Sequence, residues 1–159
     1  MDTDGFRALM RRMEEAQHRP VRDVIESDAV TPMQDGEFDD ALWLALCGRI
    51  DSASDLAGLP DGVRMYYATH LVESDVGNGG FEHSVGCTGD YYEEAIAGYR
   101  LLGDHASAAL LQRAKALAHD AAALEVLADE VAGPPWHGVP WGDAARIAYV
   151  RGHRDEFLI

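Results

Sequence analysis

A chain of 159 residues with 28 acidic and 13 basic side chains carries a net charge of −15, which argues against direct binding to nucleic acid or an anionic membrane, both polyanions. An apolar fraction of 47% and a charged fraction of 26% are those of an ordered globular protein, and the length suits one self-sufficient core. The expectation is therefore a single helical domain over residues 1–159, in which 1–36 form N-terminal helices and a loop. Two cysteines, Cys47 and Cys87, with no CxxC exclude a disulfide framework. The start Met-Asp-Thr-Asp-Gly lacks the charged-then-apolar pattern of a signal peptide. No apolar run approaches the ~20 residues of a membrane helix, so a cytoplasmic protein is expected. Only one of the basic residues, Lys115, is lysine, a bias that points to a GC-rich genome.

Taken in chain order, Phe6, Leu9, Met10 and Met13 share one helical face over residues 4–17, with Asp4 placed to cap it. Pro20 suits the first turn of a second helix, with Val21, Val24 and Ile25 facing inward. Pro32 and Asp35-Gly36 predict a loop over 31–36. Residues 37–50 read as helix with Trp43, Leu46, Cys47 and Ile50 on one side, and 55–62 as a connector. A helix follows over 63–76, burying Tyr66, Tyr67, His70 and Leu71. Gly77, Gly79 and Gly80 then crowd around Asn78 ahead of Phe81. Glycine, and less freely asparagine, takes the positive φ that ends a helix, so residues 73–86 predict a rigid elbow between two helical halves.

Beyond the elbow, Asp90-Tyr-Tyr-Glu93 has the spacing of a capping box, opening a stripe of Tyr92, Ala95, Ile96, Tyr99 and Leu102. Gly103 ends that helix, and Asp104 caps the next, whose inner face is Leu110, Leu111, Ala114 and Leu117. A further helix is expected over 121–131. Three prolines and three glycines make 133–142 an ordered loop pinned by Trp136 and Trp141. The last helix starts near Asp143 and brings Ile147, Val150, Phe157 and Leu158 to the core. Period-two alternation is lacking throughout, and the predicted fold class is all-α.

Chemistry-bearing patterns are sparse. One Glu-x-x-His, Glu15 with His18, is half of what a di-iron bundle needs, and neither metal nor cofactor is expected. His83 and Cys87 are four apart, with Asp75, Glu82 and His70 near in sequence. On one helical turn, imidazole and thiol would share a face and could support a thiol- or histidine-dependent hydrolase. The plainer reading makes Cys87 a small buried hydrophobe. No catalytic residue is assigned outside that alternative, and a non-enzymatic protein is expected.

The acidic side chains are gathered into blocks. Asp23, Glu26, Asp28, Asp35, Glu37, Asp39 and Asp40 lie between Arg22 and Arg49 with no lysine or arginine among them. Glu73, Asp75, Glu82, Asp90, Glu93 and Glu94 lie likewise between Arg64 and Arg100, and Asp120, Glu125, Asp129, Glu130 and Asp143 between Lys115 and Arg146. Helical neighbours three or four apart stand ~5–6 Å from each other, comparable with phosphates along one strand. Such a face could meet a basic partner, by a fast and salt-sensitive association; the alternative is a solvated face that keeps the protein soluble.

The run Tyr66-Tyr67 … Glu73-Ser-Asp75-Val-Gly-Asn78-Gly79-Gly80-Phe81, the Leu102-Gly103 helix end, the Ala109–Ala114 helix and the closing Tyr149–Phe157 segment resemble the DNA mimic protein 19-like family, a bacterial domain of unknown function. The resemblance spans roughly residues 38–159, making 37–159 the family-like core. It implies an all-helical fold and an acidic, dimer-forming protein that occupies the DNA-binding surface of a basic partner such as a transcription regulator; a basic toxin is the other candidate. After the aromatic, the family pattern continues with a polar residue, glutamine and a large aromatic; here Glu82, His83 and Ser84 stand instead. The residues themselves give the signature a structural meaning. Asp75 and Asn78 would satisfy backbone groups freed at the break, Gly79 and Gly80 permit the turn, and Phe81 locks it.

Overall fold

The computed structural model describes residues 3–132 and 143–159, apart from the side chains of 3–6, 8, 9, 12, 131 and 132. Among the described residues it is all-α: α1 (Thr3–Gln17), α2 (Val21–Val30), α3 (Asp35–Cys47), α4 (Asp61–Thr88), α5 (Tyr92–Leu101), α6 (His105–Ala116), α7 (Ala121–Ala132) and α8 (Asp143–Gly152), with short 3-10 turns at Ala53–Leu56, Gly89–Tyr91 and Arg154–Phe157. No helix among the described residues is long and apolar enough to cross a membrane. The loop expected over 133–142, with Trp136 and Trp141, lies outside the described residues. The chain divides into two compact units, Met1–Pro60 with Ile147–Ile159, and Asp61–Arg146.

In the first unit α3 packs against α1 and α2, and the 3-10 turn at Arg154–Phe157 against α2. Val21, Val24 and Ile25 are buried as their spacing predicts, as are Phe38, Leu42, Leu46, Val150 and Phe157. Gly48 allows the close approach of α1, because a Cβ there would stand 1.9 Å from the Gln17 carbonyl oxygen. Several expectations are corrected. Met10 and Met13, on the apolar face read from their spacing, are exposed. Pro20 precedes α2 with extended ψ rather than lying in its first turn. α3 begins at Asp35, inside the predicted loop, since Asp35 and Glu37 suit the positive end of a helix dipole. Phe157 belongs to a separate 3-10 turn after α8 ends.

The second unit is built on α4, with α5 and α7 packed along it and α6 packed on α5. One apolar cluster joins Val72, Val76 and Phe81 of α4 to Tyr92, Ile96 and Tyr99 of α5, Leu111 and Ala114 of α6, and Leu124 and Leu127 of α7. Gly98 permits the α4–α5 crossing: a Cβ there would lie 2.8 Å from Met65 Cγ and 2.9 Å from Thr69 Cγ2. Gly103 takes φ 77° at the end of α5, and the Asp104 carboxylate accepts from Ser107 N–H at 3.0 Å to cap α6. The Asp90–Glu93 capping box does not form. A 3-10 turn occupies 89–91, Tyr91 precedes α5 without a side-chain cap, and Glu93 pairs with Lys115 instead.

The elbow is narrower than its glycine content suggests. α4 runs helically through Gly77 and Gly79, breaks at Gly80 alone (φ 78°, ψ −176°), and resumes as helix to Thr88. That conformation is essentially restricted to glycine. Phe81, next in the chain, is 1% exposed within the apolar cluster. The arm beyond the break is amphipathic. Phe81, Ser84 and Thr88 face inward, while Glu82, His83 and Cys87 face out.

Candidate functional site

The acidic blocks of the sequence separate into three classes in space. The first is buried. Asp28 is fully buried on α2, where it accepts from Met33 N–H (3.0 Å), Arg151 Nε (3.2 Å) and Nη2 (3.1 Å), and Arg154 Nη2 (3.0 Å). Burial by itself pushes this carboxyl up, but the donors from Arg151, Met33 and Arg154 outweigh it and hold Asp28 below the usual range. Glu73 is 9% exposed on α4, with Arg146 Nη1 2.6 Å from Oε2 and the Tyr99 hydroxyl donating to Oε1. Here desolvation wins over Arg146 and Tyr99, and the carboxyl is held above its usual range. Asp28 and Glu73 were both expected on an acidic binding surface; neither is on the surface.

The second class is exposed or half-buried but paired. Arg151 Nη1 reaches Asp35 at 2.6 Å, Arg64 Nε reaches Glu94 at 3.4 Å, and Lys115 reaches Glu93. The expectation that whole blocks stay unneutralised is therefore corrected. The arginines that neutralise Asp28 lie 123 and 126 residues further along the chain, so a block without cations in sequence is not a patch without cations in space. Asp39 is half-buried and engaged.

The third class is exposed with no cationic partner among the described residues. In the first unit it comprises Asp23 and Glu26 on α2 and Glu37 and Asp40 on α3. In the second it comprises Glu82, Asp90 and Asp120, together with Glu125 and Asp129 on α7. Spacings of three or four make Asp23 with Glu26, Glu37 with Asp40, and Glu125 with Asp129 helical neighbours. Each such like-charge pair costs roughly 0.2–0.5 kcal/mol. Glu82 and Glu125 also line one cleft of about 300 Å³ beside the break, together with Gly79, Gly80, Phe81, Leu124 and Ala128 and no cation.

The outer face of the second α4 arm carries the other expected residues. Cys87 Sγ lies 3.8 Å from His83 Nδ1, and both side chains are exposed. Cys87 is thus not the buried hydrophobe of the plainer reading. Cys47, the other thiol, is half-buried, and burial pushes it up to about 11. Asp75 and Asn78 make no side-chain hydrogen bond among the described residues, contrary to the backbone-satisfying role expected of them, since both arms stay helical up to Gly80 and free few groups. Asp75 instead brings a carboxylate oxygen toward His83 and Cys87: one donor atom from each of the three gathers within 4.8 Å of the others. Helical spacing revealed the His83–Cys87 pair; Asp75 joins it only because the chain bends at Gly80. A cleft of about 500 Å³ is lined by other residues, among them Glu82, Tyr92, Lys115 and His119. Glu15 and His18 are exposed, on and just after α1.

No curated protein and no solved structure matches the chain. A family model described as DMP19-like protein matches residues 57–135, a stretch that holds the Tyr66–Phe81 run, the Leu102-Gly103 helix end and the Ala109–Ala114 helix but leaves the Tyr149–Phe157 resemblance outside it. By this match, over the helices that carry the break at Gly80, the chain is similar to the DMP19-like family.

Proposed function

We propose that this protein is an acidic binding protein whose exposed carboxylates stand in for nucleic-acid phosphates and occupy the DNA-binding surface of a basic protein, such as a transcription regulator. The observation that carries the reading is the third class of carboxylates. Every buried carboxylate described above is ion-paired, whereas Asp23 with Glu26, Glu37 with Asp40 and Glu125 with Asp129 face solvent as like-charge neighbours that make no ion pair among the described residues. A fold that neutralises Asp28 with two arginines leaves charge free elsewhere, and a cationic partner would relieve the repulsion that remains. The Glu82–Glu125 cleft, with Phe81, Leu124 and Ala128 in its wall, suits an arginine side chain, whose stem takes apolar cover while its guanidinium meets carboxylates.

The test is capture from the source cell at low and at high salt. It uses the wild-type chain and two neutralised variants, one carrying Asp23→Asn, Glu26→Gln, Glu37→Gln and Asp40→Asn, the other Glu82→Gln, Glu125→Gln and Asp129→Asn. The wild type retains basic, DNA-binding proteins that high salt releases; at least one variant loses them. Retention of the same proteins by both variants, or capture indifferent to salt, refutes the reading.

A further inference from the structure

We propose that Asp75, His83 and Cys87 form a binding site for one divalent metal ion of the zinc class. The three side chains offer a carboxylate oxygen, an imidazole nitrogen and a thiol sulfur, and one donor atom of each lies within 4.8 Å of the other two. A tetrahedral ion with bonds of ~2.0–2.3 Å holds its ligands about 3.3–3.7 Å apart. The Cys87 Sγ to His83 Nδ1 separation of 3.8 Å is already close to that. The remaining contraction, at most about 1.5 Å, is within reach of side-chain rotation at a half-buried aspartate and two exposed residues.

The donor set chooses the metal. Calcium and magnesium take all-oxygen shells, whereas thiolate with imidazole and a single carboxylate suits a borderline ion. Three protein ligands leave a fourth position for water or for a donor from a binding partner. The convergence on one point also separates this arrangement from a thiol–imidazole–carboxylate catalytic triad, in which thiol and carboxylate engage opposite ring nitrogens. On binding, the Cys87 sulfur forms its metal bond as thiolate and releases its proton to solvent, with no change of oxidation state.

Local structure builds the site. Spacing of four puts His83 and Cys87 one above the other on the second arm of α4, and the break at Gly80 brings in Asp75 from the first. Gly79 seats the imidazole, since a Cβ there would stand 2.6 Å from both Cβ and Cγ of His83. This inference does not depend on the acidic-surface reading.

Cobalt(II) serves as the probe, titrated into the full chain under reducing conditions. One equivalent is expected to saturate the protein, giving the visible bands of a four-coordinate site and a thiolate-to-cobalt charge-transfer band, and zinc displaces it. Cys87→Ser abolishes the charge-transfer band and Cys47→Ser leaves it intact. Loss of even an outer partner of a metal ligand costs about 10–100-fold in affinity, so removing a direct ligand by Asp75→Asn or His83→Gln weakens binding by at least about tenfold. All three residues lie outside the apolar cluster, so far-ultraviolet circular dichroism should show the variants folded. Absence of the charge-transfer band at one equivalent, its loss in Cys47→Ser, or unchanged binding in Cys87→Ser overturns the proposal.

Discussion

Asp28 and Glu73 are both carboxylates removed from water and set against arginine, yet their surroundings push them in opposite directions. Asp28 receives four hydrogen bonds, three from Arg151 and Arg154 and one from a backbone N–H, and stays ionised below the usual range. Glu73 meets Arg146 and the Tyr99 hydroxyl, with Asp143 close enough to add repulsion, and burial prevails. An opposite charge alone does not settle a buried carboxylate; the balance between desolvation and the donors that reach it does.

The largest effect that would sharpen this contrast is Arg146→Leu. It strands Glu73 beside Tyr99 and is expected to cost about 3–5 kcal/mol in urea unfolding at neutral pH; a cost under about 1 kcal/mol would mean that Glu73 does not depend on its partner. Asp28→Asn keeps the shape but loses the charge that Arg151 and Arg154 meet, at an expected cost of about 2–3 kcal/mol in the same assay.

Acid titration should separate the two sites by sign. The folded pKa of Asp28 lies below its ordinary 3.8, so its ionised form contributes stability at neutral pH that is lost as pH falls below that value and through the folded pKa. Glu73 lies above its ordinary 4.5; its protonated form contributes stability that is complete below 4.5 and lost as pH rises through the raised pKa. The stability advantage of wild type over Asp28→Asn should therefore grow with rising pH, and that over Glu73→Gln should shrink. Parallel slopes would break the comparison. The smallest effect belongs to the carboxylates outside both sites: neutralising Asp23, Glu26, Glu37 or Asp40 singly should move stability by no more than about 0.5 kcal/mol.

Local patterns were legible in the sequence wherever the determinant was local. The inward stripe Tyr92, Ala95, Ile96 and Tyr99, the Asp104 cap and the positive φ of Gly103 all follow from neighbours within a turn. The 3-10 turn at Ala53–Leu56, with a capping box from Ser52 and Asp55, carries its signal in Ser-x-x-Asp and begins ahead of the connector expected over 55–62. The elbow was misjudged in extent because glycine permits a break without compelling one: Gly77 and Gly79 remain helical, and only Gly80 leaves the helix. Charge was least legible. Arg151 and Arg154 reach Asp28, and Arg146 reaches Glu73, across long stretches of chain, so no window of sequence could reveal which carboxylates stay free. Asp75 became a neighbour of His83 and Cys87 for the same kind of reason, through a bend that spacing on one straight helix does not show.

The claim that exposed carboxylates replace phosphates is tested most directly by competition on a captured basic partner. Labelled duplex DNA is bound to that partner, and the wild-type chain is added while fluorescence anisotropy is followed. The account predicts that DNA is displaced in proportion to added protein, less readily as salt rises, and that the neutralised variant deficient in capture displaces it poorly. A stable ternary complex of partner, DNA and this protein would contradict it.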